Sequence, residues 1–305
     1  MGRFVFQRFV QSIIMVVLVA TFVFFLGRLT GNPVDLILPE DSTPEDRVEM
    51  IKTLGLDRPI HEQFLIFAAN ALRGDLGTSI RFHEPAVELF FSRLPNTLYL
   101  SVPAMLVAVL MAVPLGVISA LRRGGLIDKI SGTIAVLGIA TPNFWLGILL
   151  IFVFSVQLGW LPSGRMGGLA NYVLPSITLG TFLVAGFMRL IRSSMLEILD
   201  SEFVKLARIK GLSETSVIWK HSLRNALIPV LTLWGVFMAG LVTGAIVTET
   251  VFAWPGIGRL TYESVIYRDF PLLQAVIIMA AVMIVFINLI VDILYAYVDP
   301  RIRFD

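Results

Sequence analysis

The sequence predicts an all-α membrane protein that crosses the bilayer six times. Three observations predict it. Of the 305 residues 56% are apolar and only 15% charged, the mean hydropathy is +0.83, and the charges are bunched so that six long windows contain none. A helix rising about 1.5 Å per residue needs about 20 apolar residues to cross a hydrocarbon core about 30 Å thick. Backbone polar groups cannot stay unpaired in lipid, and a barrel would show short alternating segments instead, so the windows read as helices.

In order, the windows run from Phe9 to Gly27, Leu94 to Leu121, Ile130 to Gly164, Met166 to Met188, Asn225 to Thr248 and Phe270 to Val291. The first follows Arg3 and Arg8 as a secretory signal would, but it is longer than a signal core. No small-residue cleavage site follows it, so it is expected to remain as a span. Six spans place both termini on one side. If that side is the cytoplasm, the inside segments hold fourteen Lys and Arg and the short outside loops hold three, Arg165, Arg259 and Arg268. The remaining seven lie with eleven acids between Arg28 and Arg93, and a loop of that length translocates largely regardless of charge. Both termini are therefore expected inside. The expected division is 1–30 for the N-terminal stub and first span, 31–93 for an outside region, 94–297 for the main transmembrane domain and 298–305 for a cytoplasmic tail.

The outside region has local order. Thr43-Pro44 reads as a helix start and Gly55 as its stop. Ile60 to Arg73 reads as an amphipathic helix, Gly74-Asp75-Leu76-Gly77 as a turn, and Pro85 to Arg93 as a third short helix. This region is expected either to cap the helix ends or to dock a partner.

The inside segment from Arg189 to Arg224 is too long for a simple connector. Phe203, Leu206, Ala207 and Lys210 are expected on one helical face and Lys205 and Arg208 on another. Gly211 ends this helix. Ser213 then caps a second one, with Glu214 in its first turn and Val217, Ile218 and Trp219 restoring an apolar side. The unit is helix, glycine elbow, helix, and it reads either as a projecting docking element or as a helix lying on lipid headgroups.

Here the sequence resembles a known family. Glu202, Lys205, Ala207, Arg208, Lys210, Gly211, Leu212 and Ser213, with the run His221-Ser222-Leu223-Arg224-Asn225-Ala226-Leu227-Ile228-Pro229, are similar to the EAA loop of ABC importer permeases in its peptide-transporter form. Lys205 stands where the general pattern has Glu and Arg224 where it has Pro, both usual in the peptide branch. Further matching stretches are Gly55-Leu56-Asp57-Arg58-Pro59, Gly74 to Ser79, Leu158-Gly159-Trp160-Leu161-Pro162, Trp254-Pro255-Gly256-Ile257-Gly258, Arg268-Asp269-Phe270-Pro271 and Asp292 through Arg301. The resemblance covers nearly the whole chain and points to the dipeptide, oligopeptide, glutathione and nickel importers. It implies a type I importer permease fold and a coupling loop gripped by a separate ATPase. It also implies as partners a second paralogous permease, ABC ATPase subunits and a periplasmic solute-binding protein, with ATP on the partners and no cofactor on this chain.

Other chemistry finds little purchase. No Gly-Lys-Ser or Gly-Lys-Thr is present, hence no phosphate-binding P-loop. With no cysteine, disulfides and thiolate metal sites are excluded. His61, His83 and His221 all fall outside the windows, which argues against an intramembrane protease or metal site. A net charge of +2 gives no support for nucleic acid binding. The spans are nearly free of ionisable groups except Asp292, which is expected to pair with a loop arginine. An ion-coupled secondary transporter is thus the alternative reading, with an inverted repeat that is not evident, and a membrane scaffold subunit is another. The fifth window carries Gly235, Ala239, Gly240, Thr243 and Gly244 at helical spacing, a face for close packing. By family analogy that helix lines the pore, which puts Gly240 and Gly244 at the seam between two permeases.

Overall fold

The computed structural model describes residues 2–29, 34, 38, 43–53 and 55–298. The expected tail 298–305, including Asp299-Pro300-Arg301, lies almost wholly outside the described residues. Twelve named helices follow in order among the described residues: α1 (Gly2–Leu29), α2 (Pro44–Thr53), α3 (Ile60–Leu72), α4 (Ala86–Leu121), α5 (Leu126–Ala140), α6 (Asn143–Leu150), α7 (Ala170–Leu199), α8 (Glu202–Ile209), α9 (Leu223–Val242), α10 (Ile246–Val251), α11 (Ile257–Ile266) and α12 (Phe270–Val298). α6 continues as a π-helical stretch, Ile151–Gln157, and α9 is preceded by another, Ser216–Ser222.

Five of these segments are long and apolar enough to cross a membrane unaided: α1, α4, α7, α9 with its π-helical lead, and α12. The third window, Ile130 to Gly164, is not one straight helix. α5 and α6 with its π-helical extension meet at a bend of 100°. Pro142 has no N–H to continue α5, and it pushes Thr141 into extended backbone (φ −80°, ψ 120°), which stops α5 there. Two other expectations also change. The segment Pro85 to Arg93 is no separate helix but the first turns of α4, a 36-residue rod about 54 Å long. Residues 189–199 are no loop, because α7 runs unbroken to Leu199.

The core forms where α4 packs on α7. Ala104, Ala108 and Ala112 repeat every fourth residue with Gly116, so one face of α4 is nearly flat. Leu179, Leu183, Phe187, Met188 and Ile191 of α7 fill against it. A Cβ at Gly116 would lie 2.8 Å from Ile191 Cγ2, so the helices touch at backbone distance, as membrane helices with small residues do. Gly235 on α9 does the same against Val291 of α12, where a Cβ would lie 2.6 Å from Val291 Cγ2. α1 sits outside this core along α12. There Arg8 Nε is 3.3 Å from Asp292 Oδ2, so the partner of Asp292 is on the first helix and not on a loop.

The region from Thr43 to Arg93 is fastened at several points. Thr43 Oγ1 accepts from Asp46 N at 3.2 Å while Thr43 N donates to Asp46 Oδ2 at 2.9 Å, a reciprocal cap that starts α2. Those bonds from Thr43 hold the exposed Asp46 carboxyl below its usual range. α3 fastens to α1 through rings, Phe24 lying 5.2 Å from Phe67 and 5.4 Å from Phe64. Two of the matching stretches meet at Asp269, which is 1% exposed. Its carboxylate accepts from Ser79 Oγ at 2.5 Å, Arg81 N at 3.1 Å and Leu272 N at 3.2 Å, so it caps α12 and holds the 77–85 loop at once.

At the same end of the bundle a plug forms around Glu249 on α10, with 0% exposure. Thr97 Oγ1 donates to Glu249 Oε1 at 3.0 Å and accepts from Ile257 N at 2.8 Å. Arg259 N donates to Glu249 Oε2 at 3.0 Å. The carboxylate therefore caps α11 from a neighbouring helix. Gly256 is obligatory here, since a Cβ would stand 2.5 Å from both Glu249 Oε2 and Thr97 Oγ1. The buried Trp254 ring closes the plug, its Nε1 donating to Asn96 O at 2.8 Å.

Candidate functional site

The elbow between α7 and α9 is built by backbone rules. Ser201 is extended and starts α8. At the other end Gly211 adopts φ +76°, while Leu212 N donates to Ala207 O at 3.3 Å and Gly211 N to Arg208 O at 2.9 Å. That bond pair is the Schellman cap, which needs a left-handed residue at the position Gly211 holds. Ser213 then opens the next helix, its carbonyl accepting from Val217 N at 2.9 Å and its hydroxyl from Ser216 N at 3.4 Å.

The arms of the elbow are locked by a small separate core of Val204, Ala207 and Val217, with Ile198 packed against it. The amphipathic split thus differs from the expected one. Ala207 turns inward beside Val204, while Phe203 and Leu206 stay outside. Phe203 is 43% exposed, Leu206 56%, Ile209 80% and Leu212 40%. Phe203, Leu206 and Ile209 follow one another at every third residue, so α8 presents an apolar strip to its surroundings.

Charges sit around that strip. Arg208 forks onto Glu214 across the elbow, Nε to Oε1 at 2.8 Å and Nη2 to Oε2 at 3.4 Å. Lys205 Nζ meets Glu202 Oε1 at 2.7 Å, and this contact raises the ammonium pKa above its ordinary value. Both pairs are on the surface, where solvent and salt screen such contacts, so the cap and the buried valines fix the angle. Lys210 is exposed at the end of α8. His221 lies in the π-helical lead of α9, with its ring 6.3 Å from that of Phe203.

The three glycines expected to share a helical face separate. Gly235 is buried against α12. Gly240 is exposed on α9 with open space where a Cβ would go. Gly244 is not on α9 at all, because the helix ends at Val242. Gly244 takes φ +99°, and its missing side chain admits the backbone of Gly258.

Sequence reasoning missed one feature at the foot of the bundle. Arg192 Nε and Nη2 donate to Asp128 Oδ1 and Oδ2 at 2.6 and 2.8 Å, with Ser119 Oγ and Gly124 N completing the carboxylate's shell at 2.6 and 2.9 Å. This bidentate clamp ties α7, the helix that carries the elbow, to the α4–α5 turn. Both residues lay at the edges of charge-free windows, a position that by itself names no partner. Among the described residues no cluster of His, Asp and Glu has the makings of a metal site.

Comparison with known proteins places this architecture. The family described as "Binding-protein-dependent transport system inner membrane component" matches residues 112–304, and its N-terminal companion matches residues 1–101. The glutathione transport system permease protein GsiC of Escherichia coli (strain K12) is 42% identical over 306 residues, covering 100% of both chains. That of Salmonella typhi is 41% identical over 305 residues, again covering 100% of both. Among solved structures, the inward-facing MetNI methionine ABC transporter superposes with a TM-score of 0.60 at 17% identity, over 69% of this chain and 96% of that one. An amino acid ABC transporter chain gives a TM-score of 0.51 at 21% identity, over 69% and 94%. These families and folds are those of transport subunits and not of enzymes. The chain belongs to the binding-protein-dependent transport system inner membrane components and is a multi-pass permease subunit of an ABC importer.

Proposed function

We propose that this chain forms half of the translocation pathway for a small peptide of the glutathione type, beside a second, paralogous permease. ABC ATPase subunits grip α8 from the cytoplasm and carry all the ATP, and this chain binds no cofactor. A periplasmic binding protein delivers the cargo to the end that carries α10 and α11. The protein lies in the bacterial inner membrane with both termini cytoplasmic, which agrees with the fourteen Lys and Arg on that side.

The observation that carries this reading is the apolar strip on a stiff elbow. Phe203, Leu206 and Ile209 face outward, while Val204, Ala207 and Val217 fill the elbow's own small core. An exposed apolar patch rimmed by charges marks a protein interface. When the ATPases close on ATP, the elbow moves as a rigid body and carries α7 and α9 with it, and the pathway switches the side it opens to. The ion-coupled alternative loses ground because Asp292, its candidate proton carrier, lies within ion-pair distance of Arg8.

Gly240 supplies a test of the pathway. Its open face on α9 is where bulk would meet the second permease or the cargo. In proteoliposomes holding the whole importer, Gly240→Leu is expected to lower ATP-driven glutathione uptake about tenfold, a loss of about 1.4 kcal/mol. The variant should still insert and still co-purify with its ATPase. Uptake at the parent rate would contradict the placement of α9 on the pathway.

A further inference from the structure

Two arginines one turn apart on α7 have opposite fates. Arg192 is consumed by Asp128 through two hydrogen bonds. Arg189 is exposed, and among the described residues no carboxylate, hydroxyl or carbonyl pairs with it. It lines an open cavity of about 640 Å³ between α5, α7 and α9, whose other walls include Ile139, Phe182, Ser193, Leu233 and Phe237. The nearest carboxylate on the same face of α7 is Glu197, two turns on and about 12 Å away along the axis, and it does not line the cavity.

Arg189 lies toward the α8 end of the candidate span 170–199, directly after the charge-free stretch that ends at Met188, and cations inside spanning helices are rare. Such groups face water-filled cavities and mark the path of a ligand. The cavity is also the right kind of place for cargo: apolar and aromatic walls, one hydroxyl at Ser193, one planar cation. A guanidinium presents a fork that matches a carboxylate in two parallel hydrogen bonds. Leu233 and Phe237 of the cavity wall share a helical face of α9 with the open Gly240.

We propose that Arg189 contacts the cargo, and that the group it takes is a carboxylate of the transported solute. This rests on the reading of the chain as an importer's permease and names the charge of what passes through it. The cation lowers the barrier for an anionic group in an otherwise largely apolar cavity, and it disfavours cationic solutes at the same place.

The absence of cysteine permits a local test in the complete importer. Ser193→Cys would be the single thiol of this subunit, and its labelling rates by an anionic and a cationic methanethiosulfonate would be compared. With Arg189 present the anionic reagent is favoured, and adding Arg189→Gln should lower the anionic-to-cationic rate ratio about tenfold, with recovery in Arg189→Lys. S-methylglutathione, which has two carboxylates and no free thiol, should slow labelling when Arg189 is present and not in Arg189→Gln, while its diester should do neither. An unchanged rate ratio, or no labelling at all, overturns the proposal. Protection by phosphatidylglycerol in the vesicles with none by S-methylglutathione overturns it in favour of a lipid headgroup. A parent complex that fails to take up glutathione with ATP counts against the glutathione-type cargo of the proposed function. A parent that transports while showing no carboxylate protection sinks only the role of Arg189.

Discussion

Gly211→Val is expected to leave ATP hydrolysis running while uptake falls about tenfold or more, an uncoupling worth at least about 1.4 kcal/mol. The cause is backbone and not bulk. No atom stands within 4 Å of where the new Cβ would go, yet φ is +76°, and the left-handed region costs an L-residue roughly 1–2 kcal/mol, more when it is β-branched. The least costly escape is to unmake the two cap bonds from Gly211 N and Leu212 N, which swings α8 relative to the π-helical lead of α9. The Val204–Val217 contact is then strained, while the main core of α4 and α7 is untouched. Asn tolerates the left-handed region, so Gly211→Asn should retain most of the coupling. ATPase rate and uptake measured in the same proteoliposomes give the ratio that decides it, and a valine variant with the parent's ratio would remove the elbow from the mechanism.

Glu249→Ala should be the most damaging single change at the opposite end. The carboxylate is fully buried and is held by donors, among them the Thr97 hydroxyl, the Arg259 N–H and the Gly258 N–H. Alanine strands them, at about 1–3 kcal/mol for each buried group left unpaired, and α11 loses its cap. Glutamine fills the same space but turns an NH2 toward a donor, so it should recover only part of the loss. The expected result is a sharply reduced yield of folded protein, with a lowered Tm for whatever survives, by size-exclusion chromatography in detergent. A Glu249→Ala protein as stable as the parent would show that the plug carries little of the fold's stability.

The difference between these two sites also explains what could be read in advance. Spans are legible because lipid imposes one rule on a whole window: no charge across about 20 residues. The elbow is legible because Gly211 and Ser213 are local punctuation, each acting within a turn of itself. Glu249 is not legible in that way, because its partners Thr97 and Arg259 come from different helices and the nearest sequence signal, Trp254 to Gly258, marks a turn without naming what it encloses. The same holds for Asp128 and Arg192, 64 residues apart. The break at Thr141 was signalled by Pro142, but apolar content alone does not distinguish a long window from two bent halves. Arg189 falls outside the fourth window for a related reason: charge ends that window at Met188, whereas hydrogen bonding carries the helix eleven residues further, to Leu199. Which face of α8 turns inward depended on Val217, which lies beyond the elbow.

The most direct test of the account is a crosslink from the tip of α8. Ile209 is 80% exposed and touches no part of this chain's core, so Ile209→Cys can be carried in the complete importer without disturbing the fold. The expected result is a bifunctional thiol crosslink to an ATPase subunit that forms in the membrane and changes in yield when ATP is trapped. Modification of that thiol only by lipid-soluble reagents, with no ATPase captured in either state, would mean that α8 lies on the bilayer and that the lever has no motor.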